Sequence, residues 1–305
     1  MRPFVILIII GCLLPSLAIG QYAINLVPRI SPDRSTSLRI AYTELKVFYG
    51  APSVNGRSVL GELIPYQTVW RAGANEATRF ETSQTIYFAK DSLVAGEYAL
   101  FIIAQAEGPW TVIFSKKAKQ WGAFRYDEAD DALRIEVLPQ KGAFQEQLTY
   151  SLHKLGEAEG QLRLAWENII LPINFKIDYQ AQFQAQVLRE AAKRDTTTRW
   201  VVFLQGADYL CDQGQNLTLA LEWLRISEEL SARATPWNAQ FYPKHYLLGH
   251  LYWTRAKVYA QKGDYAKAHS YAMHMVEMRQ DYNYFDKKGA SERVNELMAE
   301  WREKF

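Results

Sequence analysis

Thiols are nearly absent from this chain: among 305 residues only Cys12 and Cys211 are cysteine. Loss of an N-terminal leader would remove the first and leave Cys211 alone, so no internal disulfide is expected and stability has to come from a packed core. Histidine is scarce as well, and none lies between residues 21 and 152. That stretch therefore cannot build a His-based triad, a thiolate nucleophile or a standard zinc site. The formal net charge is only +2 and no basic run concentrates it, so the sequence carries no nucleic-acid footprint. No phosphate-cradling glycine loop is present, and no cofactor is expected.

Long apolar runs are also lacking, except at the start. Arg2 precedes the apolar "FVILIIIGCLLPSLAI", and Ala18-Ile19-Gly20 offers small residues at the two positions a signal peptidase reads. A signal peptide over residues 1 to 20, cleaved before Gln21, is the expectation, and with it a periplasmic or secreted protein that has no membrane association after cleavage. Two other readings remain beside it. An uncleaved anchor would have to tolerate Pro15 in a rather short run. Lipidation would use Cys12 in Ile9-Ile10-Gly11-Cys12, which loosely matches a lipobox but is followed by the apolar "LLPSLAIG" instead of a polar tether.

What is present in quantity is apolar and aromatic side chain, 49% and 13% of the residues, so a buried core is assured, and the roughly 285 residues left after a leader suffice for about two domains. From about residue 36 to 178 the apolar pattern has period two, as in Leu38/Ile40/Tyr42, Leu45/Val47/Tyr49, Ile86/Phe88, Leu133/Ile135/Val137, Leu148/Tyr150/Leu152 and Leu162/Leu164/Trp166. Such alternation predicts half-buried strands. "GEYALFII" and "WTVIF" are apolar on both faces and are joined across Gly108-Pro109, which predicts a hairpin in the interior of a sheet. Leu171/Ile173/Phe175/Ile177 closes the series. About nine strands without an intervening helix predict an all-β sandwich or jelly-roll-like barrel over residues 21 to 179.

Beyond about residue 180 the period becomes three to four. Phe183/Val187/Leu188, Trp200/Leu204/Ala207, Leu219/Trp223/Ile226, Leu251/Ala256/Tyr259 and Val294/Leu297/Trp301 each keep one helical face. Two segments, 206 to 224 and 256 to 273, place a small residue three before a tyrosine and an alanine on the following helix: Gly206, Tyr209, Ala220 and Ala256, Tyr259, Ala268. The second, with Gly263 and Tyr265, resembles a tetratricopeptide helix pair, although the insertion "ATPWNAQFYPKH" breaks the period. Residues 180 to 305 are read as an all-α, tetratricopeptide-like domain with a protein partner as its expected ligand, gripped by exposed aromatics such as Trp237, Phe241 and Tyr242. The histidine pairs His245/His250 and His269/His274 miss the spacing that sets two ligands on one helix face. Asn216-Leu217-Thr218 fits the glycosylation pattern.

The β half carries an ordered set of blocks: "SPDRSTSLRIAYTELKVFYGAPSVNGRSVLGELIPYQTVWRAGANEATRF", "AGEYALFII", "WTVIF", "WGAFRYDEADDALRIEV" and "LRLAWENIILPINF". Together, over roughly residues 31 to 177, these resemble the family known as domain of unknown function 2911. The resemblance implies exported proteins of Bacteroidota-type bacteria, often with a helical repeat tail. It implies no activity. An asparagine synthetase label used for some relatives finds no support here, since no cysteine is placed to become an N-terminal nucleophile.

One connection in the β half is unusually long. From Gly50 to Thr78 the chain links two strands that a short turn would serve, and long ordered connections tend to be functional. Pro52, Gly56, Gly61, Pro65 and Gly73 fix its backbone, while Arg57, Glu62, Arg71 and Glu76 bring charge beside Tyr66 and Trp70. The candidate ligand-binding residues are Arg57, Tyr66, Trp70, Arg71, Asn75, Glu76 and Thr78. In that role Arg grips an anion, Asn reads an amide, Glu accepts, and the aromatics form a floor. Arg71 and Glu76 are expected in one site, brought together by a chain reversal at Gly73. A purely structural reading uses the same residues: Arg71 and Glu76 neutralise each other, Asn75 bonds its own turn, and Trp70 plugs the end of the sandwich.

Elsewhere, "DEADD" at 127 to 131 offers an oxygen-only calcium site or a solvated turn. The function expected is that of a non-enzymatic binding module for a small polar ligand, a glycan or a peptide. Two alternatives stand beside it: a scaffold acting through the helical repeats, and a glycan hydrolase using Glu76 with Glu62 or Asp127 as acid and base.

Overall fold

The computed structural model of the protein describes residues 28–234, 244–280 and 288–304. The expected signal peptide with Cys12, and the aromatics Trp237, Phe241 and Tyr242, lie outside the described residues. The chain divides after Tyr179 into two compact units.

The first unit begins with β1 (Asp33–Ile40) and β2 (Thr43–Gly50), an antiparallel hairpin. Its reversal falls on Ala41, at φ 49, and Tyr42. Tyr42 therefore does not continue the inward stripe of Leu38 and Ile40, and remains 39% exposed. There follow β3 (Val69–Trp70), β4 (Ala74–Thr82), β5 (Ile86–Phe88), β6 (Asp91–Leu93), β7 (Gly96–Ile103) and β8 (Trp110–Ser115). A 3-10 turn at Glu128–Asp130 leads into β9 (Asp131–Val137), β10 (Gln140–Lys154) and β11 (Glu159–Ile177). One sheet has the order β1-β2-β4-β7-β8-β9, with β3 paired to β7; the other has the order β10-β11-β5-β6.

The two sheets face each other across one buried cluster. Leu45, Val47, Phe80, Leu100, Ile102, Val112 and Phe114 meet Leu148, Tyr150, Leu162, Leu164, Ile173 and Phe175 there, which makes the unit a β-sandwich. The predicted interior hairpin is β7 and β8. Its second apolar face, Ala99, Phe101 and Ile113, is covered by Ala77, Ala123 and Tyr126, which explains why both faces of those strands are apolar in sequence.

Two expected strands near the end of the unit are one. The apolar positions are even-numbered through Leu162, Leu164 and Trp166 and odd-numbered through Leu171, Ile173 and Phe175, yet all lie on β11. Glu167, at φ 52, absorbs the change of parity within the strand, as a bulge does.

The second unit contains α1 (Tyr179–Lys193), α2 (Arg199–Asp212), α3 (Leu217–Arg233), α4 (Lys244–Gln261), α5 (Tyr265–Gln280) and α6 (Lys288–Arg302). α2 packs on α3 and α4 on α5, two helical hairpins. Small residues sit where the helices touch: Ala220, Ala256 and Ala268 are fully buried, and a Cβ on Gly206 would lie 2.8 Å from the Trp223 ring. The Asn216 side chain caps α3 by accepting from the Leu219 N–H at 3.3 Å. Between the hairpins, Asp208 accepts from Thr254 Oγ1 at 2.8 Å and lies 3.2 Å from both His250 Nε2 and Lys257 Nζ. Cys211 is buried on α2, and burial pushes its thiol up to about 11. No helix among the described residues is long and apolar enough to cross a membrane.

Candidate functional site

Residues 51–73, between β2 and β4, fold down onto the sandwich. Ala51, Val54, Val59, Ile64 and Ala72 belong to its core, so hydrophobic burial anchors the segment. Polar bonds fix it as well. The Val54 N–H donates to the Glu146 carbonyl at 2.8 Å and the Gln67 N–H to the Ala104 carbonyl at 2.9 Å.

The backbone around Arg71 is held tightly. Ala72 lies in the left-handed region at φ 53 and Asn75 at φ 62. The reversal expected at Gly73 is thus carried by its neighbours, and Gly73 instead permits close packing: a Cβ there would lie 2.7 Å from Thr78 Oγ1 and 3.1 Å from the Gly50 carbonyl oxygen. The Ala72 carbonyl accepts from two buried hydroxyls, Thr78 Oγ1 at 2.8 Å and Tyr150 Oη at 2.9 Å. Burial holds the Tyr150 phenol well above its ordinary value, so it stays a donor throughout the physiological range.

Above this frame opens a hollow of about 360 Å³. Arg57, Leu63, Trp70 and Arg71 line it, with Ser53 and Asn55. From the opposite sheet comes Trp166, whose ring stacks on that of Trp70 with centroids 5.9 Å apart. The Trp70 indole N–H donates to the Gly73 carbonyl at 3.2 Å. Arg57 is anchored at its base, Nε to the Val54 carbonyl at 3.0 Å and Nη2 to the Ser53 carbonyl at 2.6 Å.

Two buried donors on residues that line the hollow are unmatched. Arg71 is half-buried, and its Nε has no acceptor. Burial lowers its guanidinium below the ordinary arginine value, with no neighbouring charge contributing to the shift. Trp166 is 4% exposed, and its indole N–H likewise has no acceptor. Among the described residues, neither Asp nor Glu lines the hollow.

The expected pair of Arg71 with Glu76 does not form. Glu76 sits on β4 with its carboxylate gripped by Arg29, Nη1 at 2.7 Å and Nη2 at 2.8 Å. The Arg29 bond holds the Glu76 carboxyl below its ordinary range, against a smaller opposing effect of burial. A group kept ionised in this way is poorly suited to general-acid work. Asp127, its suggested partner, caps the 3-10 turn by accepting from the Ala129 N–H at 3.0 Å. Its neighbours in "DEADD" are engaged too: Glu128 and Asp131 with Arg134, and Asp130 with Lys117.

Glu76 lines a different, larger cleft of about 700 Å³ that also holds Arg29, Asp33, Arg79 and Trp121. Two of its cations are paired, Arg29 with Glu76 and Asp33 and Arg79 with Glu81 at 2.9 Å; Arg34 and Lys119 line it as well. Of the sequence candidates, then, Arg57, Trp70 and Arg71 share the hollow. Thr78 and Asn75 stand behind it, the latter donating to the Ser31 carbonyl at 3.1 Å. Tyr66, 37% exposed, covers Gly61 instead. Trp166 was not among the candidates. Its only sequence signal is its position at the break in strand parity.

Fold and site together define a β-sandwich carrying a cationic, indole-floored hollow, followed by a helical unit. Residues 31–175 match the model of the family described as Protein of unknown function (DUF2911), and this domain belongs to that family. No curated protein and no solved structure shows significant similarity to the chain.

Proposed function

We propose that the protein is an exported, non-enzymatic binding module whose ligand site is the hollow around Arg71, Trp70, Arg57 and Trp166, with the helical unit as a surface for a protein partner. One observation carries the site: a half-buried guanidinium aligned by an over-determined backbone yet left without an acceptor. Buried polar groups in folded proteins are almost always satisfied. A cation without a partner in a concave, aromatic-lined site is what a ligand would complete.

The test is Arg71→Ala. Because Arg71 has no partner to strand, the substitution is expected to leave the thermal midpoint unchanged or slightly raised, and to abolish capture of ligand from a screen of glycans, peptides and metabolites. A marked loss of stability with capture intact would make the residue structural and sink the reading. Export is checked separately by intact mass: a mature chain beginning at Gln21 supports it, and a retained leader or a lipid on Cys12 does not.

A further inference from the structure

We infer that the ligand of this hollow is a small organic monocarboxylate, its carboxylate taken by Arg71 and its body laid against Trp70. The inference rests on the binding reading above and names the ligand's chemistry.

Charge comes first. Among the described residues two arginines and no acid line the hollow, and an arginine stays protonated in a protein. Arg57 already directs Nε and Nη2 at backbone carbonyls, so the guanidinium left to recognise an anion is that of Arg71. A planar fork of donors is matched by a planar carboxylate, which accepts two parallel bonds. The Trp166 indole N–H also lacks an acceptor, but it has almost no accessible surface, so Trp166 meets a ligand through its ring. One unengaged guanidinium fits the charge of a monoanion, whereas a phosphate dianion takes up more charge and more donors.

The backbone provides an independent argument. Arg71 is followed directly by Ala72 at φ 53, and Trp166 directly by Glu167 at φ 52. Left-handed residues other than glycine are uncommon and gather at ligand clamps and active sites. Here each unmatched donor immediately precedes one. The hydroxyls of Thr78 and Tyr150 on the Ala72 carbonyl hold the first of these conformations in place, so Arg71 is set before any ligand arrives. Such preorganisation reduces the ordering cost of binding. The rest of the wall mixes Ser31, Ser53 and Asn55 with Ile30, Pro52, Leu63, Ile64 and the two indoles, Leu63 being 40% exposed, and its apolar part suits a ring or a short hydrocarbon body.

The experiment uses the full chain, matched probes, and the indole signals of Trp70 and Trp166 in a proton–nitrogen correlation spectrum. The probes are phenylacetate and its neutral twin phenylacetamide, glucuronate and its neutral counterpart glucose, and inorganic phosphate. At least one carboxylate is expected to shift both indole signals saturably and to bind about tenfold or more tightly than its neutral counterpart, as loss of a charge-assisted bond implies. Arg71→Lys, which keeps the charge and removes the fork, is expected to weaken that probe about tenfold at an unchanged thermal midpoint. The phenylacetate and glucuronate arms separate an apolar body from a sugar. Equal binding of a carboxylate and its neutral counterpart, or preferential binding of phosphate, overturns the monocarboxylate while leaving the binding reading intact. Silence from all five probes also overturns it, and the binding reading is then decided by the Arg71→Ala screen.

Discussion

Arg29 closes on Glu76 with both terminal nitrogens, at 2.7 and 2.8 Å from the two carboxylate oxygens, and by doing so leaves Arg71 as a cation without an acid. The pairing takes Glu76 out of reach as a counter-ion for Arg71. It also gives Glu76 a measurable signature.

With its folded value below the unfolded one, Glu76 contributes stability that is present above the unfolded carboxylate value, about 4, and is lost as pH falls through the folded value. The thermal midpoint of the parent should exceed that of Glu76→Gln at pH 7, and the difference should close on acidification. Both groups are partly exposed, so the difference at neutral pH is expected to be small and reduced by added salt. A difference that persists unchanged at pH 2 contradicts the assignment.

The two hydroxyls on the Ala72 carbonyl should behave cooperatively. Tyr150→Phe and Thr78→Val are each expected to cost roughly 1 kcal/mol in chemical denaturation. The double variant should exceed their sum by about another 1 kcal/mol, because only then is a buried carbonyl left without a hydroxyl donor. Simple additivity would show that the two bonds do not share one acceptor in solution.

Gly73→Ala pushes a methyl toward Thr78 Oγ1 and the Gly50 carbonyl, at 2.7 and 3.1 Å before relaxation. A loss of about 1–3 kcal/mol is expected from this overpacking, with weaker ligand capture because the Arg71 backbone moves. Unfolding midpoints and the indole spectrum report the two effects independently.

In the helical unit, burial alone would raise the Asp208 carboxyl, but the bond and charge of His250, the Thr254 hydroxyl and the Lys257 charge together hold it well below its ordinary range. Its stabilisation is therefore present above the unfolded value and fades as pH falls toward the folded one. Asp208→Ala should cost on the order of 2 kcal/mol at pH 7, since it strands the fully buried Thr254 hydroxyl and a Lys257 contact. The helical signal in circular dichroism during acid unfolding is the readout. A variant as stable as the parent at pH 7 would remove Asp208 from the account.

A fragment spanning residues 21–179 is expected to give a β-type spectrum and a cooperative melt, because its core cluster draws on both sheets and on the 51–73 segment. Aggregation of the fragment while the full chain folds would show that the units depend on each other.

Much of the architecture was legible because burial follows period in the regular parts. In β2 the side chains of Thr43, Leu45, Val47 and Tyr49 are buried while those between them are half-exposed, and alternation alone finds such a strand. Less visible were β3, too short for any period, and the continuity of β11, where Glu167 breaks the alternation that would have revealed it. The site was legible in part for a related reason. Arg57, Trp70 and Arg71 are close in sequence, so an unusual local composition exposes them. Trp166 reaches the same hollow from the other sheet, and Arg29 reaches Glu76 from before β1. Neither contact has a local signal, so neighbouring charges at 71 and 76 looked like a pair when they were not.

The segment that walls the hollow also lends Val54, Val59, Ile64 and Ala72 to the hydrophobic core. Evolution therefore cannot exchange it as a detachable cassette, in the way surface loops are traded on other scaffolds, without rebuilding the sandwich beneath. Asn55, Arg57 and Leu63 are exposed and sit outside that core, so substitutions there can alter the mouth of the hollow while the sandwich beneath is left intact.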